Sequence, residues 1–260
     1  MAINKESNGY TFAFAISLVV VVGTLLVIIA SWAKPFKDAN DEVKKKMDIV
    51  KAILPMDEAN KINRSNAVEN FNKYVDTTKA FVINVKGEII EGMYDQKGNV
   101  VEGTAFDVDI KKEFRDKLRK EEHRNFPIFM GEIDGETVYV MPAVGKGLWG
   151  PVWGNICVGE DMQTIKGATF DHKTETPGLG AEIKQAFFIK RWIGEKISDV
   201  DGNFAKFEVV KDGSGAALES KVDGITGGTI TSKGVEEMVN RCIQPYIEYF
   251  KTLKQTASYE

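Results

Sequence analysis

The sequence predicts an α+β protein with one N-terminal transmembrane helix, followed by a domain in which helices flank an antiparallel sheet. A long uncharged segment lies near the start of the chain, and hydrophobic periodicity then switches between the helical and the strand pattern. The candidate strands occur in hairpin pairs rather than alternating singly with helices. Hairpin pairs favour an antiparallel sheet over a doubly wound parallel one.

The first element is the uncharged segment, which runs for 27 residues from Ser7 to Ala33. As an α-helix it would be about 40 Å long, more than the hydrocarbon core of a bilayer at about 30 Å. A cleaved signal peptide is the alternative, with Ser31-Trp-Ala33 as a cleavage site. The apolar run is longer than a signal peptide needs, and Lys5 is the only basic side chain before it. We therefore predict a short tail at 1–9 and a transmembrane helix at 10–33.

A helical connector is predicted next, at 34–75, followed by a domain at 76–260. The connector contains two candidate helices, Asp38–Leu54 and Asp57–Tyr74, which Pro55 separates. The first has apolar residues at helical spacing on one face.

The domain itself contains two candidate hairpins, three further strands and three helices. The predicted hairpins are 80–90 and 126–141, the strands 152–158, 165–170 and 204–210, and the helices 107–120, 178–197 and 232–253.

Composition excludes several functional classes. The formal net charge is −4, which gives no reason to expect a nucleic-acid partner. Two histidines and two cysteines do not make a metal-ligand pattern. Cys157 and Cys242 could pair in an oxidising compartment, or they could be small buried apolar residues.

The segment Asp223–Ser232 is rich in glycine and threonine and directly precedes the last predicted helix. The hydroxyls of Thr226, Thr229 and Thr231 are clustered there, and a helix beginning near Ser232 would direct free N–H groups at them. Such a helix start favours a phosphate. The alternative is a turn with an N-cap and no ligand.

Two other glycine-rich segments have similar potential. Thr176-Pro-Gly178 forms a turn before a predicted helix, and Gly145–Pro151 presents Trp149 on a flexible turn. Each also has a structural explanation, a tight strand-to-helix connection for the first and core packing of the tryptophan for the second.

Together these three segments resemble the FMN-binding family that contains the NqrC protein of the Na⁺-translocating NADH:quinone reductase and the flavoprotein of the Rnf complex. The resemblance covers nearly the whole chain and depends on Gly145-Lys-Gly-Leu-Trp149, Glu175-Thr-Pro-Gly-Leu-Gly180 and the segment before the last helix. The family's attachment motif, Asp-x-x-Ser/Thr-Gly-Ala-Thr, is matched by Asp223, Thr226, Gly227, Gly228 and Thr229. Gly228 stands where the family usually has alanine.

The resemblance implies that Thr229 carries FMN through a phosphoester, which makes the chain a covalently modified phosphoprotein. A separate flavin transferase would make this bond, with FAD as donor. Asp223 would serve recognition by the transferase or order the turn, and Thr226 and the two glycines would shape the loop. The remaining candidates for the flavin surroundings are Leu148, Trp149, Glu175, Thr176, Gly178 and Leu179. No catalytic residue and no metal ligand is expected.

The resemblance also implies a function. The chain would relay electrons from NADH toward ubiquinone within a respiratory complex of several subunits that pumps sodium, without binding NADH itself. The choice of the quinone reductase over the Rnf complex depends on the Gly-Leu-Trp segment. The flavoprotein of an Rnf-type ferredoxin:NAD oxidoreductase and a non-redox membrane-anchored binding domain are the alternatives.

Two arguments predict opposite orientations of the chain in the membrane. Relatives in this family place the flavin domain on the periplasmic side of the bacterial inner membrane. However, five lysines follow the span and one precedes it, and the positive-inside rule would keep the domain in the cytoplasm. We follow the family, because the rule weakens for long translocated domains. The five lysines are Lys34, Lys37, Lys44, Lys45 and Lys46.

Overall fold

The computed structural model describes residues 7–211 and 213–257, so most of the predicted tail at 1–9, including Lys5, lies outside the described residues. The chain divides into two compact units, Met1–Lys45 and Lys46–Glu260.

The first helix, α1, runs from Asn8 to Ile53 and contains Pro35. It is long and apolar enough to cross a membrane, and the apolar part of it is not buried inside the protein. The prediction of a separate helix at Asp38–Leu54 was wrong, because those residues are the end of α1. Pro35 removes one backbone donor but does not end the helix here.

The second predicted connector helix is also different in the structure. Instead of one helix at Asp57–Tyr74 there are α2, Met56–Ala59, and α3, Ala67–Tyr74. Between them Asn63 accepts a hydrogen bond from the backbone of Ser65. Such side-chain bonds to the nearby backbone compete with helix formation and favour a turn.

A six-stranded sheet forms the centre of the second unit, with strand order β2-β1-β5-β6-β7-β8 and antiparallel neighbours throughout. Both predicted hairpins and the predicted antiparallel sheet are confirmed. The strands are β1 Val75–Ile83, β2 Ile89–Ile90, β5 Phe126–Ile133, β6 Glu136–Lys146, β7 Pro151–Val158 and β8 Ile165–His172. Two strands of two residues each, β3 Met93–Tyr94 and β4 Val100–Val101, form a separate antiparallel pair.

A short parallel pair lies outside this sheet, formed by β9 Glu208–Val210 and β10 Lys221–Asp223. The predicted strand at 204–210 is therefore shorter than expected. Strand β10 was missed, because three residues are too few to show a period.

The first two helices predicted in the domain have different bounds in the structure. The helix predicted at 107–120 is only α4, Ile110–Arg115, which Asp109 caps through the backbone N–H of Lys112. The helix predicted at 178–197 is a 3₁₀ turn at Gly180–Lys184 and the short α5, Ala186–Ile189, separated by Gln185 in an extended conformation.

The physical reason for the second difference is aromatic packing. Trp192 is fully buried, with ring centroids 5.5 Å from Phe170 and 5.4 Å from Phe207. Burial of these rings outweighs the weak helical preference of the segment.

The C-terminal helix predicted at 232–253 is two helices, α6 Thr229–Cys242 and α7 Gln244–Ala257. Pro245 follows the junction and lacks the N–H that a continuous helix would need there. The new start of α6 is the difference that matters for function, because it makes Thr229 the first helical residue.

Both faces of the sheet are covered. On one face α6 and α7 pack with Met238, Ile243 and Phe250 in the main core. On the other, the end of α1 contributes buried Val50, and Phe71 of α3 belongs to an aromatic chain that continues to Phe129 through Phe106.

Helix α6 approaches β6 closely at two glycines. A Cβ atom at Gly145 would lie 2.6 Å from that of Met238, and one at Gly234 would lie 2.3 Å from the carbonyl oxygen of Lys146. The absence of these two side chains sets the distance between helix and strand, and with it the position of the first turn of α6.

The two cysteines provide a test of this core. Both are buried and free in the structure, so they do not pair. Burial raises the pKa of the Cys157 thiol to about 12 and also raises the pKa of Cys242. At pH 8 a pKa of about 12 leaves about one thiol in ten thousand ionised, and the thiolate is the reactive form. We expect no reaction with iodoacetamide in the folded full-length chain and two adducts after unfolding, counted by mass spectrometry.

Lys254→Cys, a change at an exposed position, is the control and should react in the folded state. Labelling of either native cysteine before unfolding would contradict the burial described above. Fewer than two adducts in the unfolded, unreduced chain would reveal a disulfide.

Candidate functional site

The three glycine-rich segments come together at the N-terminus of α6. The turn Ile225–Gly228 is closed by a 2.9 Å hydrogen bond from the N–H of Gly228 to the carbonyl of Ile225. Gly227 has a φ of +76° there, which favours glycine. The side chain of Leu179 lies against Gly227, and the carbonyl of Leu179 lies beside Gly228. The turn is thus packed directly on the 175–180 segment.

The clustered hydroxyls have different environments. Thr226 is exposed on the turn and Thr229 is half-buried as the first residue of α6. Thr231 is buried, and its hydroxyl donates to Glu175 across 2.6 Å. Ser232, where the helix was predicted to begin, is also buried, and its hydroxyl donates to the carbonyl of Gly228. Of the three clustered threonines, only Thr226 and Thr229 remain accessible for chemistry.

The N-terminus of α6 has no side-chain cap and no acidic residue in its first turn. The first N–H groups of a helix have no partner within it, and they form the positive end of the helix dipole. Gly228 is the N-cap residue and is itself buried against Leu179 and Ile225, whereas Thr226 before it is exposed. The arrangement fits a phosphate attached at or near Thr229.

Exposed apolar side chains surround this helix start. Leu148, Trp149 and Leu179 are all exposed, and Trp149 retains 67% of its accessible surface. Ile230, the residue after Thr229, is 60% exposed. Ile230 was not predicted, although it lies off the buried helical stripe of α6 and could have been identified in that way. A planar flavin ring has suitable apolar surfaces to contact here.

Glu175, predicted among the flavin surroundings, is buried beneath this surface. One carboxylate oxygen accepts from the N–H of Trp149 at 2.8 Å and the other from the hydroxyl of Thr231. The structure therefore brings Glu175 into contact with both other segments. Its own N–H donates to Nδ1 of His172 at 3.2 Å.

Two further predicted residues belong to the same turn. Thr176 is exposed, and its carbonyl accepts the N–H groups of Leu179 and Ala181. Gly178 adopts a φ of +77° and donates its N–H to Oε1 of Glu182.

Asp223 lies at the end of β10, and its side chain accepts from the N–H of Gly215 at 3.0 Å. Sequence reasoning missed Arg191, which donates to the carbonyls of Asp223 and Gly224 at 2.7 and 3.0 Å. Both contacts order the chain just before the turn, one of the two roles expected for Asp223. Within the described ranges, no group of three or more metal-ligating side chains occurs.

Gly228 provides a test of how closely these segments approach. A Cβ atom there would lie 2.9 Å from the carbonyl oxygen of Leu179 and 3.0 Å from the side chain of Ile225. We expect Gly228→Ala, which introduces the alanine of the family motif, to lower the free energy of unfolding by about 1–3 kcal/mol, because backbone must shift. Urea denaturation in detergent measures this.

Thr226→Ala in the same turn is the matched control, because Thr226 is exposed; it should change stability by less than about 0.5 kcal/mol. Equal urea midpoints of unfolding for Gly228→Ala and the parent chain would contradict this expectation. They would show that the backbone at Leu179 can shift without loss of stability.

Comparisons with known proteins agree with this geometry. The family profile described as FMN-binding domain matches residues 147–244, which include most of the Gly145–Pro151 segment and all of the other two glycine-rich segments. The NqrC protein of the Na(+)-translocating NADH-quinone reductase from Haemophilus ducreyi is 28% identical over 258 residues, covering 95% of this chain and 96% of that protein. The corresponding Yersinia pestis protein is 36% identical over 115 residues, covering 44% of this chain and 43% of that protein.

Two solved structures have the same fold. The crystal structure of the corresponding protein from Parabacteroides distasonis has a TM-score of 0.68 and 37% identity, covering 83% of this chain and 96% of that one. The structure of Shewanella oneidensis NqrC has a TM-score of 0.57 at 23% identity, covers 85% of this chain and 100% of that one, and supports the fold alone. On the identity and coverage of the Parabacteroides structure, this chain belongs to the NqrC family of Na⁺-translocating NADH-quinone reductase subunits.

Proposed function

We propose that this chain is a covalently flavinylated electron carrier that holds FMN on Thr229 and relays electrons inside the Na⁺-translocating NADH:quinone reductase. The observation that carries the proposal is the position of Thr229, the first residue of a helix whose N-terminus has no side-chain cap. The exposed Leu179 lies against Gly227 and Gly228, the two residues before Thr229. The relatives described above are all NqrC proteins of this reductase, which supports it over the Rnf complex.

The proposed bond is a phosphoester between the hydroxyl oxygen of Thr229 and the phosphorus of FMN. With FAD as donor, the Thr229 oxygen–phosphorus bond forms and the bond between the two phosphates of FAD breaks. AMP leaves, and the hydroxyl proton is released. The negative charge that remains on the phosphoester lies at the positive end of the α6 dipole, where it is stabilised.

The environment of Thr229 supports the involvement of a separate flavin transferase. Among the residues that the structure describes, none forms a hydrogen bond with the Thr229 hydroxyl, so no carboxylate or imidazole of this chain is placed to remove its proton. A hydroxyl is a weak nucleophile unless a neighbouring base activates it. That base would come from the transferase.

The roles of the other residues follow from their positions. FMN itself would supply the reversible uptake and release of electrons. Leu148, Trp149 and Leu179 would contact its ring system, and the Thr226–Gly228 turn would shape the loop that presents Thr229. The covalent link would keep the flavin at an exposed site at a high effective concentration. NADH would be oxidised in another subunit, and sodium transport would belong to the whole complex.

Peptide mass spectrometry of the chain produced together with the transferase tests the attachment residue. We expect a mass increase of FMN less one water on the peptide containing Thr229. Thr229→Ala should abolish the increase and leave the domain folded, and Thr229→Ser should retain part of it, because serine keeps the hydroxyl.

Thr226→Ala is the matched control and should be flavinylated normally. If Thr226→Ala loses the flavin and Thr229→Ala keeps it, the carrier function stands but the attachment site is Thr226. An unmodified chain beside an active transferase would contradict the whole proposal.

We also propose that the second unit lies on the periplasmic side of the bacterial inner membrane. A fusion of alkaline phosphatase to the C-terminus should then be active, because this enzyme folds in the periplasm. A fluorescent-protein fusion that folds only in the cytoplasm should remain dark. The reverse pair of results would place the domain in the cytoplasm, as the lysine count after the span suggests.

A further inference from the structure

Glu175 has more contacts than a flavin-lining residue requires. Its side chain is buried, with 4% of its surface exposed, although carboxylates are among the side chains least often buried. Both of its oxygens are engaged within the protein, each with a different segment.

The first oxygen holds the turn that presents Trp149. Oε1 accepts the N–H of Trp149 at 2.8 Å and the N–H of Gly150 at 3.3 Å. The turn is also closed by a 2.8 Å hydrogen bond from the N–H of Gly147 to the carbonyl of Gly150. The carboxylate therefore fixes the backbone from which the exposed indole projects.

The second oxygen holds the first turn of α6. Oε2 accepts the hydroxyl of Thr231 at 2.6 Å. Thr231 is two residues after Thr229 in the same helix, so a bond to Thr231 fixes the rotation of the helix start. The Trp149 turn and the Thr229 backbone are thus joined through a single carboxylate.

The two glycines beside this carboxylate leave space for it. A Cβ atom at Gly147 would lie 2.6 Å from Oε1, and one at Gly180 would lie 2.6 Å from Oε2 and 2.3 Å from the Thr231 hydroxyl. Neither glycine has a positive φ, so the close approach of the carboxylate, not backbone conformation, requires glycine at both positions.

Within residues 7–211 and 213–257, hydrogen bonds and not an ion pair satisfy the buried carboxylate. Among the described residues, no lysine, arginine or histidine forms an ion pair with Glu175. A buried carboxylate without a cationic partner depends on its hydrogen-bond donors. Three donors from two separate segments meet this requirement, and each loses its acceptor if the side chain is removed.

We propose that Glu175 is a positioning residue that couples the Trp149 turn to the N-terminus of α6. The position of the Trp149 indole relative to the Thr229 hydroxyl is thereby fixed. The proposal rests on the proposed function for its purpose, but the coupling itself does not require flavin. Glu175 acts through Trp149, Gly150 and Thr231, and it does not need to touch the flavin.

Thr231→Val gives the sharpest test, because valine matches the shape of threonine but removes the donor. The readout is hydrogen–deuterium exchange at the Trp149 amide, on a different segment from the mutation. The full-length chain carries Thr229→Ala in this experiment, so no covalent flavin is present. We expect the Trp149 amide to exchange about tenfold faster, because the carboxylate loses one of its anchors. An unchanged rate would overturn the coupling.

Two changes at Glu175 separate its hydrogen bonds from its charge. Glu175→Gln keeps an oxygen for the Trp149 and Gly150 amides, and its NH₂ group can donate to the Thr231 hydroxyl. We expect it to preserve slow exchange at Trp149, whereas Glu175→Ala should accelerate it at least tenfold. Equal exchange in the alanine and parent chains would contradict the proposal. If the alanine variant does not fold, Thr231→Val and Glu175→Gln decide the question.

Glu182→Ala is the matched control. Glu182 accepts from the N–H of Gly178 in the same glycine-rich segment but has no contact with the Trp149 turn. It should leave exchange at Trp149 unchanged. Acceleration equal to that of Thr231→Val would show that any loosening of the segment reaches Trp149, and the specific role of Glu175 would be lost.

The flavinylated chain gives an independent second readout. Thr231→Val should retain its covalent flavin yield but lose at least half of the visible circular dichroism of the flavin, since the aromatic surface is no longer fixed. An unchanged spectrum in a fully flavinylated variant would overturn the purpose that we assign to the coupling. If the parent chain acquires no covalent flavin, the proposed function fails, and the exchange experiment still decides whether Glu175 couples the two segments.

Discussion

The close approach of α6 to strand β6 is the constraint on which the rest of the site depends. Gly145 on the strand and Gly234 on the helix provide no side chains at the two points of contact, so the backbones meet directly. A helix held this closely has a fixed height above the sheet, and the buried Val235 and Met238 fix its rotation. The position of its first residue is then determined by the fold. The other two glycine-rich segments are arranged around that end.

Much of the fold could be predicted from local pattern. The hairpins at 80–90 and 126–141 were predicted because alternating apolar residues flank short turns, a signal contained within a few neighbouring residues. The helix predicted at 178–197 was wrong because its apolar residues serve the packing of Trp192 against Phe170 and Phe207, which are distant in sequence. Strand β10 escaped prediction for the same reason, since it exists only through its pairing with β9.

The sequence predicted which three segments lie together but not how their residues are arranged. The motifs identified the three segments that meet, from Gly145–Trp149 to Asp223–Thr229, and the profile match covers most of that range. No local pattern distinguishes the half-buried Thr229 from the fully buried Thr231 two residues later. That distinction arises from where α6 begins and from the carboxylate beneath it, both of which depend on contacts between distant parts of the chain. Arg191 was missed because its contacts with the carbonyls of Asp223 and Gly224 are also tertiary, whereas the exposed Ile230 could have been identified from the helical stripe of α6.

Thr229 and Thr231 have the same chemistry and are separated by a single residue, yet the first is half-buried and accessible and the second is fully buried. An α-helix turns about 100° per residue, so two positions differ by about 200° and fall on opposite sides of the axis. Helical phase therefore discriminates between the two hydroxyls before any modifying enzyme arrives. A one-residue insertion or deletion that shifts the helix relative to the preceding turn would rotate both hydroxyls by about 100°, which makes the length of this loop as much a determinant of fidelity as the residue that is modified.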